Sequence, residues 1–151
     1  MRISPSLRLF GAAAAAGGLL LTTAGAAHAD SAAYGTYANE GLYPESTSCA
    51  GSYYSPVANH TVSYGGYTIT LKYFYNGGCG SFARIENAPT NCSAYLDRSD
   101  DGGAEGWVNT SEPVEAGLTY AYTKIGNNLD GRVSRAALVC NDGVVDRTNW
   151  Y

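Results

Sequence analysis

Four cysteines, Cys49, Cys79, Cys92 and Cys140, all lie beyond an amino-terminal stretch built for export, and together these features set the terms on which the chain can fold. Arg2 and Arg8 supply a positive start, Leu9 to Leu21 an apolar run, and Ala27-His28-Ala29 a small-x-small cleavage site, so residues 1–29 read as a secretory signal peptide. The apolar run falls short of the roughly 20 residues that span a bilayer, and no later segment approaches it. The expected product is therefore secreted, extracellular and without membrane insertion. Cleavage would leave 122 of the 151 residues, one domain's worth of chain whose small core gains from cross-links. An even cysteine count in an exported chain reads as two disulfides. Of three possible pairings the sequential one, Cys49 with Cys79 and Cys92 with Cys140, is favoured because it ties the start of the domain to its first long hairpin and closes the second half separately. Each closure is worth about 4 kcal/mol in the chain-entropy account. With no C-x-x-C pair, and His60 the only histidine outside the signal peptide, neither a metal site nor another cofactor is expected.

Export also changes the charge. All 13 acidic residues survive cleavage while two of the nine basic ones are removed, which takes the formal net charge from -4 to -6. The remaining basic residues, Lys72, Arg84, Arg98, Lys124, Arg132, Arg135 and Arg147, are scattered. An acidic field without a basic block disfavours nucleic acid and anionic membrane surfaces as partners.

From residue 57 onward the pattern is that of strands. YTITLKYFY places Tyr67, Ile69, Leu71, Tyr73 and Tyr75 on one face and Thr68, Thr70 and Lys72 on the other, as a half-buried strand requires. Gly65-Gly66 precedes it, and Asn76-Gly77-Gly78 turns it back into SFARIENA. Further strand candidates are VANHTVSY, CSAYLDR, EGWVN, LTYAYTKI, RVSRAALVC and VVDRTNWY, with turns at Asp101-Gly102-Gly103, Gly126-Asn127-Asn128, Asp130-Gly131 and Asn141-Asp142-Gly143. The sole helical candidate is a turn around residues 53–59, broken by Pro56. The expected fold is all-β: a compact antiparallel sandwich or partly open barrel of six to eight short strands, spanning residues 49–151.

Residues 30–48, DSAAYGTYANEGLYPESTS, carry too few aliphatic side chains for a core of their own. They read as a flexible amino-terminal arm in which Tyr34, Tyr37, Leu42 and Tyr43 are the candidate partner-binding residues. A tyrosine brings large contact area with only two torsions to freeze, and such a segment orders when its backbone meets a strand edge or a cleft.

Catalytic chemistry finds little support. His60 sits in an alternating run that reads as an edge-strand surface histidine, no G-x-S-x-G elbow accompanies it, and disulfide pairing leaves no thiol nucleophile. Asp100, Asp101, Asp130 and Asp142 adjoin glycines, where turns recruit aspartate for backbone hydrogen bonds, although the 99–105 loop is also a candidate for weak calcium binding. Trp107, Trp150 and Tyr151 are possible sugar-stacking platforms, with core packing or clasping of the terminus the favoured role for Trp107. No catalytic residue is expected. The residues read as those of a binding protein, with a secreted protease inhibitor, a carbohydrate-binding module and a small hydrolase as alternatives.

The blocks SCAGSYYSP and YTITLKYFYNGGCGSFARIENAP add a resemblance over about residues 48–90. They are similar to a family of small secreted actinobacterial proteins of uncharacterised function, which share an early cysteine, a strand written x-x-L-x-Y, then cysteine, an aromatic and A-R-I. Cys49, Leu71, Tyr73, Cys79, Phe82, Ala83, Arg84 and Ile85 match, with Phe82 where tryptophan is usual. The resemblance strengthens the Cys49–Cys79 pairing. In size, export, cysteines and arm the chain also resembles the adaptor subunit of the umbrella toxin particles of Streptomyces, agents of interbacterial competition. That likeness implies a non-catalytic adaptor whose arm, residues 30–48, enters a large secreted repeat-containing toxin protein and whose domain joins it to a lectin subunit.

Overall fold

The computed structural model describes residues 38–129 and 131–151. The expected signal peptide, Tyr34, Tyr37 and Asp130 lie outside the described residues. The described residues form eight strands: β1 (His60–Tyr64), β2 (Tyr67–Asn76), β3 (Gly80–Glu86), β4 (Cys92–Ser99), β5 (Trp107–Pro113), β6 (Tyr120–Tyr122), β7 (Val133–Cys140) and β8 (Gly143–Arg147). They make two four-stranded antiparallel sheets, one in the order β1-β2-β3-β6 and the other β5-β4-β7-β8. The expectation of an all-β sandwich with two disulfides is met.

Local sequence explains the hairpins. Gly65 and Gly66 both take positive φ, which lets a two-residue turn match the twist of β1 and β2 and pairs Tyr64 with Tyr67. Asn141 and Asp142 do the same between β7 and β8, being the two non-glycine types that best tolerate that geometry. Between β2 and β3, the Asn76 side chain accepts the Gly78 N–H at 2.9 Å and closes the loop that presents Cys79. The turn expected at 53–59 is not helical. Tyr54 instead exchanges both backbone hydrogen bonds with Tyr75, at 3.1 and 2.9 Å, because a sheet edge offers partners that a single proline-interrupted turn lacks. Among the described residues the one helical turn is 3₁₀, Pro44–Ser46, where proline sits at the helix start and so costs no hydrogen bond.

The core lies between the sheets. Ile69, Leu71 and Tyr73 from β2, Ala83 and Ile85 from β3, and Ala121 from β6 face Ala94 and Leu96 from β4 and Ala136 and Leu138 from β7. The inward face of β2 differs from its sequence pattern at the ends: Tyr67 is exposed and Tyr75 half-buried. Both sequential disulfides form, Cys49–Cys79 and Cys92–Cys140, in keeping with an oxidising compartment. No helix among the described residues is long and apolar enough to cross a membrane.

Inside the sandwich the Tyr73 hydroxyl accepts a hydrogen bond from Asn128 Nδ2 at 2.9 Å. Burial pushes the phenol's ionisation far above its ordinary value near 10. A folded pKa above the unfolded one means that stability is complete below pH 10 and falls as pH rises further, because only the unfolded chain releases this proton readily. The expected loss is about 1.4 kcal/mol per pH unit above 10. Urea melts at stepped alkaline pH check this. In Tyr73→Phe the slope should shrink, while neutral stability falls by about 1–3 kcal/mol because Asn128 loses its partner.

Candidate functional site

Residues 38–48 are where expectation and structure meet most informatively. In place of a free arm, the Gly41 N–H donates to the Ile125 carbonyl at 2.9 Å and the Ile125 N–H to the Leu42 carbonyl at 2.8 Å. Gly126 in turn exchanges backbone bonds with Ser81 of β3. The described part of the arm thus adds an edge to the first sheet, and Pro44 and Thr47 are buried. Sequence reading anticipated strand-edge pairing for this segment with a partner; the edge it finds is its own domain's. Leu42 and Tyr43 stay exposed, at 41% and 37%.

Tyr43 leads into an aromatic surface on the outer face of that sheet. Its ring meets the edge of Tyr122, with centroids 5.9 Å apart. Tyr122 and Tyr120 lie nearly parallel along β6, and Tyr122 and Phe82 meet at 6.4 Å. Phe82 stacks on Phe74 at 4.9 Å and takes the edge of Tyr53 at 5.1 Å. Together with Pro44, Glu45, Ala50, Gly51 and Arg84, the rings of Tyr53, Phe74, Phe82, Tyr120 and Tyr122 line a groove of about 520 Å³. The Arg84 guanidinium lies over Tyr120 and Tyr122, 5.2 and 5.9 Å from the centroids. Its Nε is 2.8 Å from Glu86, which Lys72 also approaches at 2.6 Å; the lysine contact chiefly holds the Glu86 carboxyl below its usual range.

A smaller cleft of about 180 Å³ adjoins the groove and shares Glu45, Tyr120 and Tyr122 with it. Glu112 and Glu115 complete its acidic wall. Tyr43 donates its hydroxyl to Glu112 at 3.1 Å and Tyr122 donates to Glu45 at 2.9 Å. Bonding to a carboxylate raises the Tyr43 phenol above its ordinary pKa, and burial followed by the Glu45 bond raises that of Tyr122. Both phenols stay neutral donors that orient the acids. Lys124 answers part of the charge, 3.9 Å from Glu112 and over the Tyr43 ring at 5.4 Å.

Of the residues singled out in sequence, Leu42 and Tyr43 reach this surface. Phe74, Phe82, Tyr120, Tyr122 and Tyr53 were missed. The signal was present: the outward parity of β2 and β3 carries Phe74 and Phe82 where a solvent-facing strand is ordinarily polar, and Tyr120 and Tyr122 alternate with Ala121.

The other candidates are placed as follows. Trp107 is 44% exposed at the start of edge strand β5, with the Arg98 guanidinium 5.2 Å from its ring; the expected core or clasping role falls to Trp150. The indole of Trp150 lies on Gly103 and Gly106, where any Cβ would come within 2.6 Å of it, and the Arg135 guanidinium covers it at 4.1 Å. A glycine-made slot beside a cation shelters an indole better than the open end of an edge strand, and Trp150 is half-buried there. Tyr151 extends the second sheet through paired backbone bonds with Ser134. His60 lies on edge strand β1, as expected, and its Nδ1 is 3.1 Å from Asp146 Oδ2 across the gap to β8. Among the described residues no hydroxyl hydrogen-bonds the His60 ring. In the 99–105 loop Asp101 is occupied as a turn acceptor by the Ser99 hydroxyl and the Glu105 N–H, which lower its pKa, while Asp100 pairs with Arg132 at 3.1 Å. No cluster of metal-ligating side chains occurs among the described residues.

No protein-family model matches the chain, and neither a curated protein nor a solved structure does.

Proposed function

We propose that this chain is a secreted, non-catalytic adaptor that joins a large repeat-bearing toxin protein to lectin subunits. The observation that supports it is the continuous aromatic surface from Tyr43 to Phe74, set beside the point where the amino-terminal segment joins the first sheet. Interfaces draw their strength from such tyrosine clusters, because a rigid ring offers contact area at low entropic cost. The specific partners come from the sequence resemblance. Affinity purification of the tagged mature protein from its producer's culture medium, followed by mass spectrometry, tests the reading. Joint recovery of a repeat-containing toxin and a lectin is expected; recovery of a protease alone would replace the adaptor by an inhibitor. Deletion of residues 30–37 is the clean arm variant, since Gly41, Leu42, Pro44 and Thr47 belong to the folded edge. Binding to the toxin protein should fall in that deletion and persist in His60→Ala. A turnover abolished by His60→Ala in an otherwise intact fold would make the protein a small hydrolase.

A further inference from the structure

We infer that the aromatic groove and its acidic neighbour form one docking site for an extended segment of a protein partner, in which a basic side chain is flanked by apolar ones. The inference rests on the protein-binding reading above and specifies the partner's chemistry. The larger groove offers an apolar floor of Phe74, Phe82 and Tyr53. The smaller cleft presents Glu45, Glu112 and Glu115, with Lys124 the cation set against them. Three carboxylates against one ammonium leave the cleft negative, so an arginine or lysine complements it.

Geometry selects an extended chain. The clefts share the Tyr120–Tyr122 ridge, so one ligand must place unlike side chains on either side of it within a short distance. Successive same-side residues of an extended peptide stand roughly 6–7 Å apart, a spacing suited to neighbouring clefts. A sugar fits less well. Pyranose stacking needs an uncovered ring face, whereas Arg84 covers Tyr120 and Tyr122, and Phe74 and Phe82 stack on one another with Phe82 almost wholly buried. The net negative charge of the chain adds long-range attraction for a basic segment.

The probe is a randomised peptide library displayed on phage and selected on the immobilised, disulfide-intact protein. The recovered pool should be enriched in arginine or lysine next to proline, leucine or aromatic residues. Representative peptides should lose about tenfold or more in affinity with Glu115→Lys or Tyr120→Ala, both at exposed positions. They should keep their affinity with Trp107→Ala, on the opposite sheet, and an unchanged thermal melt shows that each variant folds. No enriched pool, a pool lacking basic residues, affinities indifferent to both groove variants, or glycan-array binding lost in those variants would each overturn the inference. The two groove variants, used in the culture-medium purification, separate this site from the adaptor reading. Toxin and lectin recovered normally by the variants would sink the docking site alone, whereas their absence with the unaltered protein would sink the adaptor while the peptide selection stood.

Discussion

Replacing Cys92 and Cys140 together by alanine should cost about 4 kcal/mol, the chain-entropy value for a closed loop of this length. Their sequence separation is 48, and they face each other directly across β4 and β7, the two central strands of the second sheet. Both are buried, so their shortened side chains also forfeit packing. A domain of this size has about 5–15 kcal/mol in total, and the double variant should therefore unfold at far lower urea or not fold at 37 °C. Urea titrations of the oxidised parent and the variant give the difference directly. A midpoint shift worth less than about 1 kcal/mol would show that the ladder between β4 and β7 holds without its covalent tie. The Cys49–Cys79 link closes a shorter separation of 30 and should be worth slightly less.

Gly80→Ala should be nearly as damaging, for a different reason. Gly80 opens β3 with φ +97°, a conformation that side chains rarely adopt. A Cβ there would sit 2.4 Å from the Gly126 carbonyl oxygen and 2.9 Å from Ile125 Cγ2. That carbonyl accepts the Ser81 N–H at 3.0 Å, so the chain can give way only by breaking the bridge that carries residues 41–42 on its far side. Backbone strain of roughly 1–3 kcal/mol adds to overpacking of about the same size. A total near 2–6 kcal/mol is expected from denaturant unfolding. Gly117→Ala is the control: its φ is +86° but no atom lies within 4 Å of the added carbon, so strain alone is paid. Equal losses in the two variants would place the whole effect in the backbone and none in the close approach to Gly126.

The eight strands and the hairpin turns at Gly65-Gly66 and Asn141-Asp142-Gly143 were legible because each depends on neighbours in sequence, whereas the turn expected at Gly126-Asn127-Asn128 does not form, since Gly126 bridges Ser81 of β3. Alternation at Tyr67–Tyr75, the Gly65-Gly66 pair and the Asn141-Asp142-Gly143 run are local statements about which side of a strand is wet and where φ can turn positive. The boundary at Cys49 was less legible. Residues 38–48 lack a core of their own, but composition does not reveal that Ile125 has an unpaired backbone edge to offer Gly41 and Leu42. Trp107 and Trp150 are equally apolar, and only the glycines at 103 and 106 decide which of them is sheltered.

What the sequence determined by itself is the class of fold, the strand segments, the even cysteine count and the acidic character of the chain, because period, turn chemistry and charge are carried by residues acting where they stand. What only the tertiary structure decided is the aromatic groove. Tyr53, Phe74, Phe82 and Tyr122 come from separate stretches of chain and become one groove because β2, β3 and β6 are neighbours in a single sheet while the segment around Pro44 folds over its edge. Non-local pairing is settled by which backbone edges and apolar faces find each other in three dimensions, and no window along the chain contains that information.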